Sequence, residues 1–281
     1  MIYFASPSVV FITGCGRSGT TTLGNILGRH PDVAYLNDRF DLWTRVFPEA
    51  DIWGRGPAAQ AATARIEMVA ADARPEIAAR FVELLRRERG RKALLAEKLP
   101  INSFRLGFLF ELFPDACVID IVRNGIDVAR SIAAEAVAGR WYGARGRKWD
   151  LLVEYARGHG YGPLIDICSM PFLRGLLEWR MSVEAVERYL ADHEVRVLRL
   201  RYEELLSDPA GTASAMTDFL GLPQSARVER FAGAQIARFR RVDRSGELPV
   251  QADVIAGETL RRLGYWPVEA APPLRQATNP S

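Results

Sequence analysis

The segment Gly14-Cys15-Gly16-Arg17-Ser18-Gly19-Thr20-Thr21-Thr22 follows the apolar run Val9–Ile12, and its residue types suit a tetrahedral anion. Glycines reach backbone angles that let successive N–H groups converge on one anion. A helix beginning near Gly19 presents unpaired N–H groups and the positive end of its dipole at the same point. Thr20, Thr21 and Thr22 add hydroxyl donors, and Arg17 can grip two oxygens at once. ATP-binding loops with this glycine spacing place a lysine after the second glycine; Thr20 stands there instead. The turn is therefore read as an anion cradle for something other than a magnesium-bound nucleoside triphosphate.

Three further polar steps follow apolar runs. Glu97-Lys98-Leu99-Pro100 follows Ala93–Ala96. Arg123-Asn124-Gly125 follows Cys117–Val122, with Ser131 farther along the helix expected next. Arg201-Tyr202-Glu203-Glu204-Leu205 follows Leu198–Leu200. Arg123 and Ser131 together supply donors for a second anion, separate from the one on the glycine turn.

These groups need elements to hold them. Strands are expected at 8–13, 33–36, 93–96, 117–122 and 195–200. Helices are expected at 19–28, 59–72, 75–89, 102–113, 126–137, 172–191 and 251–263. Asp208-Pro209 reads as a helix start and Gly221-Leu222-Pro223 as its stop. Residues 37–57 and 139–163 read as irregular insertions, and the chain from Pro267 on as a mobile, frayed tail. Strands alternate with helices, and several are continuous apolar runs. This predicts an α/β, three-layer fold with a central, mostly parallel sheet. Ligands in such folds sit at the carboxyl ends of the strands, where all the polar steps fall.

The segments together resemble the PAPS-dependent sulfotransferases, particularly the Golgi-type and bacterial carbohydrate and tyrosylprotein branch. PAPS (3′-phosphoadenosine 5′-phosphosulfate) carries separate 5′ and 3′ anionic groups. The resemblance implies that Gly16, Arg17, Ser18, Gly19, Thr20 and Thr21 bind the 5′-phosphosulfate, that Arg123 and Ser131 bind the 3′-phosphate, and that Tyr202 belongs to the same site. The resemblance covers most of the chain to about residue 222; it further implies a P-loop-like fold, a single domain over 1–281, and PAP as the product. Asn124 departs from the aspartate common at that place. The K-x-P step is Lys98-Leu99-Pro100, and Arg17 and Lys98 would offset charge in a metal-free in-line transfer. The family's base is a glutamate after an H-P-D step; His30-Pro31-Asp32 is present, and the matching place is Asp38, one methylene shorter, with Asp41 as fallback. His30 itself is read as structural. Arg238, Arg240, Arg241, Arg244 and Ser245 are candidates for a lid over the cofactor, or a solvated basic segment.

The acceptor is expected among the irregular stretches. Trp43, Trp53, Trp141, Tyr142, Trp149, Tyr155 and Tyr161 supply flat faces there, and Arg140, Arg145, Arg147 and Lys148 supply charge. A small molecule, a glycan or a lipid head group would suit them, while each aromatic alone is better explained by packing. A chain of 281 residues with 48% hydrophobic residues can bury a sizeable core, and a net charge of +3 is too small to argue for nucleic acid. Three cysteines without paired or metal-like spacing fit a reducing, cytoplasmic setting. No targeting leader or bilayer-spanning run is read in the chain. Oligomeric state is not legible. Two rival readings remain: a small-molecule kinase using Asp120 to hold magnesium, and a non-catalytic module that binds PAPS or PAP.

Overall fold

In the first strand, β1 (Val9–Thr13), Val9 and Phe11 pack into one apolar cluster and Val10 and Ile12 into another. That alternation is what period-two geometry requires of a strand buried on both faces. The structure, a computed structural model, describes residues 8–54, 64–237 and 247–266 and the backbone of 276–278.

After β1 come α1 (Thr20–Leu27), β2 (Val33–Asn37), α2 (Phe40–Val46), α3 (Pro75–Arg89), β3 (Leu94–Lys98), α4 (Leu106–Leu112), β4 (Cys117–Val122) and α5 (Gly125–Val137). Then follow α6 (Arg147–Gly158), α7 (Pro171–Asp192), β5 (Val197–Arg201), α8 (Tyr202–Ser207), α9 (Pro209–Leu220), α10 (Ala226–Ile236), α11 (Gln251–Arg262) and β6 (Gln276–Thr278). The sheet order is β2-β3-β1-β4-β5-β6. The first five are parallel, and β6 runs antiparallel to β5. Residues of α1, α8, α9 and α10 cover one face, and residues of α2 to α7 and α11 cover the other. This is the expected three-layer, P-loop-like α/β architecture.

The chain leaves β1 for β2, returns to β3 beside β1, and then crosses to β4 on the other flank. A crevice opens at the carboxyl ends where the order reverses. Register places the polar steps around it: Lys98 lies opposite both Ile12 and Asn37, Thr13 opposite Asp120, and Val122 opposite Arg201.

Local chemistry sets the helix limits. The Asp208 side chain accepts from the Gly211 N–H at 2.9 Å, with Pro209 in the first turn, and Gly221 closes α9 at φ 67°. The Asn124 side chain accepts from the Ile126 N–H at 2.9 Å and caps α5.

Several expectations are corrected. The stretch 37–57 holds α2, and a 3-10 turn at Pro48–Ala50 follows it. The stretch 139–163 holds the twelve-residue α6, which starts after Gly146 at φ 80° and buries Trp149, Leu152, Tyr155 and Ala156 along one side. Of the helix expected at 59–72, residues 59–63 lie outside those described; the rest shows only a 3-10 turn at Ala70–Asp72. The helix expected at 102–113 divides into a 3-10 segment, Pro100–Phe104, and α4. Helices α8 and α10 were not foreseen. Within the tail expected to fray, Gln276–Thr278 pairs with β5, and the remainder beyond 266 lies outside the described residues. Among the described residues no helix is long and apolar enough to cross a membrane.

Candidate active site

The glycine turn is held open by its own backbone. Gly14, Arg17 and Gly19 all have positive φ, at 132°, 73° and 97°. Gly19 is the N-cap of α1 and brings no capping side chain, so the first N–H groups of the helix are left for a ligand. Only glycine fits there: a Cβ on Gly19 would stand 2.4 Å from Cδ2 of Tyr202. Gly16 is equally crowded, since its Cβ would stand 2.5 Å from Cη2 of Trp141. The Ser18 hydroxyl is buried and has no hydrogen-bond partner among the described residues.

The second cradle touches the first. Arg123 leaves the end of β4 and its Nη1 donates to the carbonyl oxygen of Arg17 at 3.0 Å. Its guanidinium lies 4.4 Å from the centre of the Tyr202 ring, and its Nη2 is 3.9 Å from Oδ2 of Asp127. Its Nε is buried without a partner among the described residues. Ser131, on α5, accepts from Nε of Arg17 at 2.9 Å. Arg17 also reaches Oε1 of Glu135 at 3.8 Å, and Glu135 in turn accepts from Nε of Arg140 at 2.7 Å. The structure thus brings Gly16–Thr21, Arg123, Ser131 and Tyr202 into one site, with Tyr202 packed between Gly19 and Arg123. Two unpartnered buried donors and an uncapped helix start fit a ligand with two anionic groups.

Beside this, Nζ of Lys98 lies 2.5 Å from Oδ2 of Asp38; the lysine side chain is 1% exposed and the aspartate 44%. Asp38 sits just past β2 at φ 50°, a left-handed conformation uncommon outside glycine, fixed by its N–H donating to the Lys98 carbonyl at 3.0 Å. Burial pulls the Lys98 ammonium below its ordinary range, and the Asp38 charge works against that shift. Asp41 is held differently. Arg39 donates to both its oxygens at 2.8 Å and keeps its carboxyl below the usual carboxylate range. His30 is structural, buried with Nε2 at 2.9 Å from the Pro223 carbonyl.

Behind Lys98 is a carboxyl the sequence reading left without a role. Glu97 is fully buried; it accepts from Trp43 Nε1 at 3.1 Å and meets Asn102 Nδ2 at 2.6 Å. Burial pushes its pKa up to about 7. The signal available in sequence was an acidic residue directly after the apolar run Leu94-Leu95-Ala96 and before Lys98.

A cavity of about 770 Å³ opens from the glycine turn past Asp38 and Lys98. Phe40, Ile52, Trp53, Ile101, Phe104 and Trp141 form its apolar walls, and Asp38, Lys98, Arg140, Lys148, Glu178 and Ser182 are among its polar lining. Lys148 and Glu178 form a buried ion pair at 2.6 Å, and Glu178 also accepts from Trp141 Nε1 at 2.8 Å. Of the acceptor candidates, Trp53, Trp141, Arg140 and Lys148 line the cavity, and Tyr142 lies behind Lys148. Trp43 does not; it is buried against Phe47, Phe81 and Phe108. Trp149, Tyr155 and Tyr161 are core residues, and Arg145 and Arg147 stand outside the lining. The five lid candidates at 238–245 lie outside the described residues. Asp120 is buried and tied to Thr13 Oγ1 at 3.1 Å and Arg199 Nε at 3.3 Å, bonds that join β4 to its neighbours β1 and β5. Among the described residues no group of three or more His, Cys, Asp or Glu is placed to hold a metal ion.

Comparison with known proteins agrees with this geometry. The sulfotransferase family model matches residues 7–161, more than half of the chain. Protein-tyrosine sulfotransferase A of Caenorhabditis elegans is 23% identical over 299 residues, covering 96% of this chain and 70% of that protein. Protein-tyrosine sulfotransferase 1 of Danio rerio is 24% identical over 296 residues, covering 97% and 76%. Among solved structures, the sulfotransferase domain from the curacin biosynthetic pathway is similar in fold, with a TM-score of 0.53, 16% identity and coverage of 90% of this chain and 97% of that one. The chain belongs to the sulfotransferase family, enzymes that transfer a sulfuryl group to an acceptor.

Proposed function

We propose that the protein moves a sulfuryl group from PAPS to a hydroxyl or amine of a small-molecule, glycan or lipid acceptor seated in the cavity, with Asp38 as the base. The observation that carries this reading is the Asp38–Lys98 pair lining the cavity beside two joined anion cradles. When bound, PAPS supplies an activated sulfuryl group: the acceptor atom bonds to sulfur as the bond from sulfur to the 5′-phosphate oxygen breaks, and that oxygen keeps the electron pair.

The chain's own residues divide the remaining work. Gly16–Thr21 and Arg17 hold the 5′ end, and Arg123 and Ser131 hold the 3′-phosphate. Lys98 occupies Oδ2 of Asp38, so Oδ1 takes the proton from the acceptor. Protonation discharges Asp38 and frees Lys98 to stabilise the departing phosphate oxygen. The burial that lowers the Lys98 pKa also makes it a readier hydrogen-bond and proton donor. Arg17, Lys98 and Arg123 serve as fixed cations, so the reading calls for no metal. The three buried, unpaired cysteines support a reducing, cytoplasmic setting.

The test is incubation with PAPS and panels of phenols, amines, monosaccharides, lipid head groups and peptides in excess EDTA. Sulfated product with matching release of PAP is expected. Transfer from ATP in place of PAPS, abolished by EDTA, would overturn the reading.

A further inference from the structure

We propose that Glu97 is a positioning residue, uncharged when the site receives its anionic nucleotide, that aligns Lys98 and limits the negative charge beneath it. This rests on the nucleotide site proposed above. The geometry comes first. Glu97 precedes Lys98 on β3 and joins two walls of the cavity from behind: Trp43 belongs to α2, which carries Phe40, and Asn102 belongs to the 3-10 segment that carries Ile101 and Phe104. Its alignment therefore sets both the direction of Lys98 and the separation of the walls.

Its partners show its charge. Both are neutral, and among the described residues no cation is hydrogen-bonded to either oxygen. The 2.6 Å contact with Asn102 suits an O–H···O bond better than an N–H···O bond. The two ends of an asparagine amide are interchangeable in assignment. With the amide turned, a protonated Glu97 donates to Asn102 Oδ1. Full burial favours the same neutral form.

The charged and titratable groups facing Glu97 are Asp38 beyond β2, Tyr35 on β2, Lys98 on β3 and Arg105 ahead of α4. Arg105 is already engaged by the carbonyls of Ile66 and Arg65 at 3.0 and 3.1 Å. With Glu97 neutral, Asp38 is the one anion acting on Lys98 among the described residues. Ionising Glu97 adds a second negative charge behind the lysine that meets the nucleotide, and binding of a further anion weakens.

The experiment measures PAP binding by calorimetry for the wild type and Glu97→Gln, with no acceptor present. Glutamine keeps both hydrogen bonds: its carbonyl accepts from Trp43 and its amide donates to Asn102 Oδ1. From about pH 6 to about pH 8 the wild type should lose affinity roughly three- to ten-fold more than Glu97→Gln. The titration of PAP itself is common to both proteins and cancels. Identical pH profiles overturn the role of Glu97 while leaving the nucleotide site standing; no PAP binding in either protein overturns the site and this inference with it. A second measurement needs no variant. In wild-type protein with isotope-labelled glutamate side chains, one carboxyl should titrate near pH 7 by NMR. Every glutamate titrating in the ordinary carboxylate range overturns the proposal.

Discussion

Nε of Arg17 donates to Oγ of Ser131 at 2.9 Å, across 114 positions of sequence, so the glycine turn and the middle of α5 share a wall. The backbone repeats the link, with Arg123 bonded to the Arg17 carbonyl. Two anion cradles this close suit one ligand carrying both charges better than two separate ions. Arg17 stands between them, 43% exposed, with Glu135 as its other partner. Its guanidinium is therefore in a position to serve either cradle.

Arg123→Ala should weaken PAP binding roughly 10- to 100-fold, the range for losing charge-assisted bonds to a buried anion. Arg17→Ala should fall in the same range, and Ser131→Ala should cost only a few-fold. Arg123→Lys should recover part of the loss, because an ammonium keeps the charge but not the forked geometry. Calorimetry with PAP decides it; unchanged affinity in both alanine variants of the arginines would remove the nucleotide assignment.

Asp38→Asn should lower kcat by roughly 100- to 10,000-fold with any acceptor that turns over. PAP affinity should hold or tighten, because a negative charge leaves the neighbourhood of Lys98. Single-turnover rates and calorimetry on the same preparation separate the two effects. Turnover that survives the substitution would take the base assignment away from Asp38.

The parts legible in the sequence were those whose chemistry is local. The glycine turn, the Asp208 cap and the apolar runs of β1 and β4 carry their reasons within a few residues. So does the placement of polar steps after strands, which located Lys98, Arg123 and Tyr202. Helix α6 was hidden because Gly143, Gly146, Arg145 and Arg147 crowd its start, although Trp149, Leu152, Tyr155 and Ala156 keep helical spacing beyond it. What could not be read were pairs made by folding. Trp43 looked like an acceptor surface, but its Nε1 bonds to Glu97, 54 positions away, and turns the ring into the core. The Lys148–Glu178 pair spans 30 positions and is likewise invisible without the packing of α6 on α7.

Gly16→Ala should destabilise the protein by roughly 1–3 kcal/mol, because the new methyl meets the Trp141 ring rather than empty space. Trp141→Ala removes that obstacle but also the indole bond to Glu178. The double variant should therefore lose less than the sum of the two singles. Denaturant midpoints of all four proteins give the coupling. Strict additivity would show that Trp141 does not pack on the turn.

Stability should depend on pH through Glu97, in the direction opposite to a salt-bridged carboxylate. Its pKa rises from 4.5 in the open chain to about 7 in the fold. Between those values the folded protein holds a proton that the unfolded chain has released. Stability therefore falls as pH rises through this window, is unaffected by the group below it, and levels off above it. The full loss amounts to roughly 3 kcal/mol at the usual conversion from pKa shift to free energy. Glu97→Gln has no proton to lose, so its denaturation midpoint should gain on the wild type from pH 4.5 to about 7 and keep a constant lead beyond. Parallel stability curves for the two proteins across that window would mean the carboxyl is already ionised in the fold, and the buried site would have to be solvated by some other group.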